Sequence, residues 1–345
     1  MSQSSSILVL GAGAWGTSFA SRMASIKKNK NIFLWCRNSN LANELSSAKV
    51  NQRYLPGISI SNHLTVSSDL QKLVAKLEEN DSYMNYLVIA VPSSSISKLC
   101  SLLSKFNFSG SYMLVSLSKG VVEINGELKM SSQVVANHFS NENVCVLSGP
   151  SFAQEVALGL PFAMTCASKK IEKARKVAGF LSGTGLRIYA SDDPLGVEVA
   201  GAMKNVLAIA SGVCDGMNLG HNARASLITR GLAETSRLGL TLGANPKTFL
   251  GLASLGDLVL TTTGNLSRNR KVGLEIASGK KIDQILSELG HVAEGVLSAP
   301  KLLKLGKSMN VTLPITSAVC SLLEGSKSFK EILKDLLSRD QSDEI

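Results

Sequence analysis

Ile7-Leu8-Val9-Leu10 runs straight into Gly11-Ala12-Gly13-Ala14-Trp15-Gly16, and a helical pattern (Phe19, Ala20, Met23, Ala24) follows at once. An apolar strand, a G-x-G-x-x-G turn and a helix in that order form the context that a dinucleotide fingerprint requires. Gly11 allows the tight turn, Gly13 lets the backbone approach a pyrophosphate, and Gly16 lets the helix pack close to the strand. The helix start then offers free N–H groups and the positive end of its dipole to an anion. A glycine-rich turn in an ordinary α/β domain is the alternative, and the flanking strand and helix weigh against it.

The same phrase recurs. Apolar strands are expected at 7–10, 32–36, 86–91, 112–117 and 144–147, separated by helical or polar segments. Alternation of this kind predicts βαβ units and a parallel, doubly wound α/β sheet of Rossmann type. Each run ends in a small, polar or charged segment: Gly11–Gly16, Arg37-Asn38, Pro92-Ser93, Lys119-Gly120 and Ser148-Gly149-Pro150-Ser151. Strand carboxyl ends lie along one edge of such a sheet, so these segments outline one crevice. Pro161–Ser168 and Leu186–Ala190 read as two last strands with a helix between them. After Asp192-Asp193-Pro194 the pattern is helical to the end. Residues 1–191 are therefore expected to form an NAD(P)-binding domain and 192–345 an all-helical domain. Pro314 can open a helix carrying Val319 and Leu322. Ser328 and Glu331 suit a capping box before Ile332, Leu333, Leu336 and Leu337, and the tail from Arg339 reads as loose.

The net charge of +10 raises the question of nucleic acid. The basic residues are dispersed and lack interleaved aromatics, which points away from it. The tightest run, Lys27-Lys28-Asn29-Lys30, reads as a solvated loop. A basic surface also steers small anions, the preferred reading. Six cysteines (Cys36, Cys100, Cys145, Cys166, Cys214, Cys320) lie mostly in apolar segments with no C-x-x-C, so buried free thiols and a cytoplasmic location are expected. His63, His138, His221 and His291 lack metal-ligand spacing, so no metal is expected. Polar residues 2–6 argue against a signal peptide, and no uninterrupted apolar stretch of membrane length is expected.

Lys204 is the one positive charge inside the apolar run Val197–Val213. A lysine in a buried helix is costly unless paired or functional. Ala200, Gly201 and Ala208 share its face and are small, which leaves room at its tip for a ligand. Desolvation would lower its pKa and ease proton exchange near neutral pH. Snorkelling to the surface is the bland alternative. Asn205 lies one step round the helix and can reach the same ligand. Ser267 suits an N-cap, which puts Arg268, Asn269, Arg270 and Lys271 in a first turn where positive charge opposes the dipole. That arrangement makes sense with an anion at the site, or else as a solvated basic turn. Asp257 precedes an apolar turn and can be a helix cap. Ser151 and Gln154 can be a capping box, or Ser151 can serve a ligand on the crevice. Arg37 stands roughly twenty residues beyond the glycine loop, where an acidic residue usually binds the ribose. An arginine there can hold a 2′-phosphate instead, unless it is merely a surface residue at a strand end.

These residues, taken in order, resemble bacterial-type NAD(P)-dependent glycerol-3-phosphate dehydrogenase. The resemblance rests on Leu10–Thr17, Ser118-Lys119-Gly120, Leu147–Ala153, Lys204-Asn205 and Asn222-Ala223-Arg224-Ala225. It continues through Gly256–Thr261, Ser267-Arg268-Asn269 and Ala293-Glu294-Gly295-Val296. It implies reversible reduction of dihydroxyacetone phosphate, a triose phosphate, to sn-glycerol 3-phosphate with NAD(P)H, for glycerophospholipid synthesis. It also implies a homodimer. Carried onto matching positions, it assigns Trp15, Arg37, Lys119, Ala153, Arg268, Val292 and Glu294 to the cofactor, beside Gly11, Gly13 and Gly16. It assigns Lys119, Gly149, Ser151, Lys204, Asp257, Ser267, Arg268 and Asn269 to substrate, with Lys204 as proton donor and acceptor. Asp257 would orient Lys204 or hold a substrate hydroxyl. The three serines after Pro92, and Cys320, depart from the family's usual residues without touching a catalytic role. Two other readings are a related two-domain β-hydroxy acid dehydrogenase and a non-catalytic NADP(H)-sensing protein.

Overall fold

The computed structural model describes residues 5–27, 31–79, 84–108, 110–290 and 292–338. Lys28-Asn29-Lys30, His291 and the tail from Arg339 lie outside them, as do the side chains of Leu336 and Leu337. The strands in chain order are β1 (Ser6–Leu10), β2 (Ile32–Trp35), β3 (Val50–Asn51), β4 (Leu55–Ser59), β5 (Leu64–Ser67) and β6 (Asn85–Ile89). They continue with β7 (Tyr112–Ser116), β8 (Val121–Ile124), β9 (Glu127–Met130), β10 (Val144–Ser148), β11 (Phe162–Ala167) and β12 (Leu186–Ser191). The helices of this half are α1 (Ala14–Ile26), α2 (Ser39–Ala48), α3 (Leu70–Glu78), α4 (Ile96–Leu103), α5 (Ser131–Ala136), α6 (Ala153–Ala157) and α7 (Ile171–Leu181).

Eight strands form one sheet in the order β12-β11-β10-β7-β6-β1-β2-β5. From β5 to β10 every pairing is parallel, and the order reverses beside β1, the doubly wound arrangement that opens a crevice at the strand carboxyl ends. β1, β6 and β10 are buried residue for residue, as expected of strands covered by helices on both faces. One apolar cluster, with Phe19, Met23, Val177 and Leu181, covers one face. A second, with Leu73, Leu99, Leu103 and Val135, covers the other.

The expected strands at 7–10, 32–36, 86–91, 112–117 and 144–147 are β1, β2, β6, β7 and β10, each within two residues at either end. The sheet is not wholly parallel, however. β11 runs antiparallel to β10, because the chain folds back at the carboxyl edge through short α6 instead of crossing the sheet on a long helix. Edge strand β5 and two hairpins, β3–β4 and β8–β9, add to the expected set.

From Pro194 onward the described residues are helical: α8 (Pro194–Gly216), α9 (Gly220–Thr241), α10 (Asp257–Thr263), α11 (Arg268–Ala277), α12 (Ile282–Leu289), α13 (Glu294–Ser308), α14 (Pro314–Glu324) and α15 (Phe329–Leu337). Pro314 occupies the first turn of α14, and Ser328 with Glu331 forms the capping box of α15. α8 organises this half. Asp193 caps its start by accepting from the Gly196 N–H at 2.9 Å, and every residue from Gly196 to Cys214 is buried. By length and composition α8 is long and apolar enough to cross a membrane, but Glu198 and Lys204 interrupt it, in line with expectation, and its apolar stretch is buried inside the protein. A helix apolar all round is stable only when so enclosed.

Two glycines set how closely α11 lies on α8. A Cβ on Gly212 would stand 2.0 Å from the Arg270 carbonyl oxygen, and one on Gly273 would stand 2.0 Å from that of Ile209. Backbone meets backbone there. The six cysteines are free and buried.

Candidate active site

The glycine loop has the geometry its spacing predicts. Gly11 has φ +118°, and a Cβ there would lie 2.7 Å from the Ala90 carbonyl oxygen. A Cβ on Gly16 would lie 1.9 Å from the Gly11 carbonyl oxygen, so loop and helix touch through backbone. A Cβ on Gly13 would meet nothing within 4 Å. Gly13 is also the N-cap of α1, and no side chain caps that helix. Open space, uncapped helix N–H groups and the buried, unpartnered Trp15 Nε1 fit the pyrophosphate end of a dinucleotide. Arg37 stands exposed just past β2, at the same edge of the sheet.

On the helical side, Lys204 and Asp257 meet from α8 and α10. The Lys204 Nζ donates to Asp257 Oδ1 at 2.5 Å and to Thr261 Oγ1 at 3.0 Å. The Lys119 Nζ, from the loop after β7, donates to Asp257 Oδ2 at 2.7 Å. Asp257 is 1% exposed and Lys204 9%. Neither residue takes its bland alternative: Lys204 does not snorkel, and Asp257 spends its carboxylate on two ammonium groups. Burial lowers the Lys204 pKa to about 7, aided by the like charge of Lys119 and opposed by Asp257. Burial pushes Asp257 upward, but the two lysines outweigh it and hold the carboxyl below its usual range. The cluster carries one more positive charge than negative when Lys204 is protonated. The space beside Gly201 is occupied by the stem of Lys119, whose Cγ would lie 3.4 Å from a Cβ there.

Asn205, next along α8, faces a different neighbour. Its Nδ2 donates to the Gly201 carbonyl at 3.3 Å, and its Oδ1 accepts from Asn269 Nδ2 at 3.0 Å. Asn269 Oδ1 in turn accepts from the Gly295 N–H at 2.9 Å. This amide chain joins α8, α11 and the start of α13, where Gly295 is obligatory because a Cβ would lie 2.5 Å from the Asn205 carbonyl oxygen.

Ser267 caps α11, its hydroxyl accepting from the Arg270 N–H at 3.2 Å. The basic turn it opens is divided. Arg270 is committed to Asp215, with Nη2 at 2.7 Å and Nε at 2.9 Å, while the Arg268 guanidinium is partly desolvated, which lowers its pKa, and interacts electrostatically with Glu294. Glu294 accepts from the Ser93 N–H at 3.1 Å and its hydroxyl at 2.8 Å, and burial raises the carboxyl's pKa against those donors. Gly149 has φ +146°, and the Ser151 hydroxyl donates to its carbonyl at 2.9 Å. Of the two readings of Ser151, the capping box with Gln154 does not form: α6 starts after Phe152 without a side-chain cap, and Ser151 turns back to the loop. Ala153 opens α6, and exposed Val292 precedes α13.

Thr261 and Ser93 stand in stretches singled out in the sequence, but neither is given a role of its own there. Thr261 lies four residues after Asp257, one turn along α10, and that spacing was the available signal. Ser93 faces Glu294 across 201 residues of chain, which no local pattern reveals.

Residues 6–174 match the family model described as NAD-dependent glycerol-3-phosphate dehydrogenase N-terminus, and residues 193–334 match its C-terminus counterpart. The chain is 45% identical over 335 residues to glycerol-3-phosphate dehydrogenase (NAD(P)+) of Thiobacillus denitrificans, covering 97% of this chain and 98% of that one. It is 44% identical over 340 residues to the protein of that name from Dechloromonas aromatica, covering 98% and 99%. The crystal structure of glycerol-3-phosphate dehydrogenase from Coxiella burnetii superposes with a TM-score of 0.87 at 35% identity, covering 97% of this chain and 99% of that one.

Proposed function

The chain belongs to the NAD-dependent glycerol-3-phosphate dehydrogenase family, and from that premise we propose how its own residues perform the reaction. The protein is an NAD(P)-dependent oxidoreductase that interconverts dihydroxyacetone phosphate and sn-glycerol 3-phosphate. When bound, the dinucleotide supplies the hydride in reduction and takes it in oxidation. Gly11, Gly13, Gly16 and Trp15 hold it at the start of α1. Arg37, Lys119, Ala153, Arg268, Val292 and Glu294 complete its contacts.

Lys204 carries the proton. As an ammonium it stabilises negative charge growing on the carbonyl oxygen and then protonates it. As a neutral amine it accepts the hydroxyl proton of glycerol 3-phosphate. Asp257 and Thr261 fix the direction of its Nζ. Lys119 shares Asp257 and adds positive charge on the sheet side. Arg268, Asn269, Ser267 and the start of α11 grip the phosphate, while Gly149 and Ser151 line the opposite wall. Remote binding of this kind positions the reacting carbon without itself doing chemistry. Asn205 keeps Asn269 in place through their shared amide bond.

We assign residues 1–191 to dinucleotide binding and 192–345 to substrate binding and catalysis. We further take the protein to work in the cytoplasm as a homodimer, with a small-molecule substrate and a product used in glycerophospholipid synthesis. The observation that carries the mechanism is the placement of Lys204, buried and bonded to the Asp257 carboxylate and the Thr261 hydroxyl, where burial lowers its pKa. Loss of nicotinamide absorbance when dihydroxyacetone phosphate is added to enzyme and NADPH or NADH tests the activity. No loss, or an equal rate with β-keto acids, would refute the substrate assignment.

A further inference from the structure

Asn51 is a polar residue with no exposed surface, and it belongs to none of the motifs above. It ends β3, within the small β3–β4 hairpin that also packs against α6. Its Nδ2 donates to the Ala12 carbonyl at 3.1 Å and to the Thr17 hydroxyl at 2.8 Å, so both amide hydrogens are used. Its Oδ1 accepts from the Tyr54 N–H at 3.2 Å, which fixes the amide's orientation from the hairpin side.

One acceptor lies on the glycine loop and the other on the helix that follows it. Ala12 stands between Gly11 and Gly13, residues that leave its two peptide units free to rotate. Thr17 lies in the first turn of α1, where its own N–H donates to the Gly13 carbonyl at 2.9 Å. The Ala12 carbonyl carries partial negative charge, and turned toward the crevice it would repel a pyrophosphate. Asn51 holds it toward the protein interior and ties it to the helix whose N–H groups face the anion. From this geometry we infer that Asn51 is a positioning residue for the dinucleotide, pre-organising the loop before the cofactor arrives. The inference rests on the cofactor reading above and adds a residue 39 positions from the loop to it.

The test is the dissociation constant of NADPH and NADH, read by protein fluorescence without turnover, with steady-state constants beside it. In Asn51→Ala the dissociation constants rise about tenfold, the scale of one lost buried hydrogen-bond partner. Turnover at saturating dinucleotide and KM for dihydroxyacetone phosphate stay within about twofold, since the loop returns to shape once occupied. Thr17→Val, which removes one acceptor, gives about a threefold rise with the same split, and it carries the test if Asn51→Ala does not fold. Unchanged dissociation constants in a folded variant overturn the inference. So does a variant in which turnover and both KM values worsen together, since that marks general damage. Failure of the unsubstituted protein to bind either dinucleotide overturns the cofactor reading and this inference with it. Equal binding by unsubstituted protein and Asn51→Ala overturns the inference alone.

Discussion

Lys204 and Asp257 share a 2.5 Å hydrogen bond between α8 and α10, with almost no exposed surface on either residue. A buried ion pair is weak grounds for stability, because removing two charges from water offsets most of their attraction. This pair is also unbalanced, since Lys119 reaches the same carboxylate. Two ammonium groups around one carboxylate leave an excess positive charge where a ketone oxygen would gain negative charge, and they keep one lysine easy to deprotonate.

The two directions of reaction should therefore respond oppositely to pH. The Lys204 pKa is lowered to about 7, so the ammonium predominates below that pH and the amine above it. Reduction needs the ammonium, and its kcat/KM falls as pH rises through about 7. Oxidation needs the amine, and its kcat/KM falls as pH drops through the same region. Initial rates in both directions between pH 5.5 and 9, at saturating dinucleotide, check the crossing. Profiles that fall on the same side would rule Lys204 out as the titrating group.

Asp257→Asn keeps the shape and removes the charge. Lys204 then loses the partner that raises its pKa while keeping Lys119 as a like charge, so the pH midpoint moves below 7. Turnover in reduction at neutral pH drops roughly a hundredfold, the scale of one misplaced proton donor. Dinucleotide affinity, measured by fluorescence titration, stays within about twofold. A normal midpoint in this variant would show that Asp257 does not govern Lys204.

The α8–α11 crossing gives a stability prediction with a built-in contrast. Gly273→Ala forces a Cβ to within 2.0 Å of the Ile209 carbonyl oxygen, backbone that cannot move aside. The expected loss is about 3 kcal/mol, read as a lower thermal midpoint. Gly179→Ala, on α7 where a Cβ meets nothing within 4 Å, should instead stabilise by up to about 1 kcal/mol. Equal effects on the two midpoints would refute the close approach.

Arg37→Ala separates the cofactors. A guanidinium beside a 2′-phosphate contributes charge-assisted hydrogen bonds that a ribose hydroxyl cannot match, so KM for NADPH rises about tenfold. KM for NADH changes less than about twofold on the same reasoning. Parallel changes for both dinucleotides would make Arg37 a surface residue only.

The parallel part of the sheet was legible because strands buried on both faces are continuous apolar runs. Ile7–Leu10 and Tyr86–Ile89 cannot be mistaken for exposed loops. The hairpins were not, because Pro56-Gly57 and Glu127-Leu128-Lys129 mix polar and turn-forming residues at positions with little burial. The reversal of β11 was invisible for another reason: strand direction depends on the path of the connection, and α6 is too short to show it. Within the site, Lys204 announced itself as a charge inside an apolar helix. The fate of Arg270 did not, since its partner Asp215 is 55 residues away and equally ordinary in local sequence. Asn51 shows the same limit, a polar residue whose partners become evident only when the hairpin folds onto the glycine loop.

Turnover of Lys204→Ala, with dinucleotide affinity and exogenous amine as companions, addresses the proton assignment most directly. Reduction of dihydroxyacetone phosphate should fall about a thousandfold or more, while NADPH binds within about twofold of normal and added methylamine restores part of the rate. Turnover close to that of the unsubstituted protein would contradict the assignment of Lys204 as the group that gives and takes the proton.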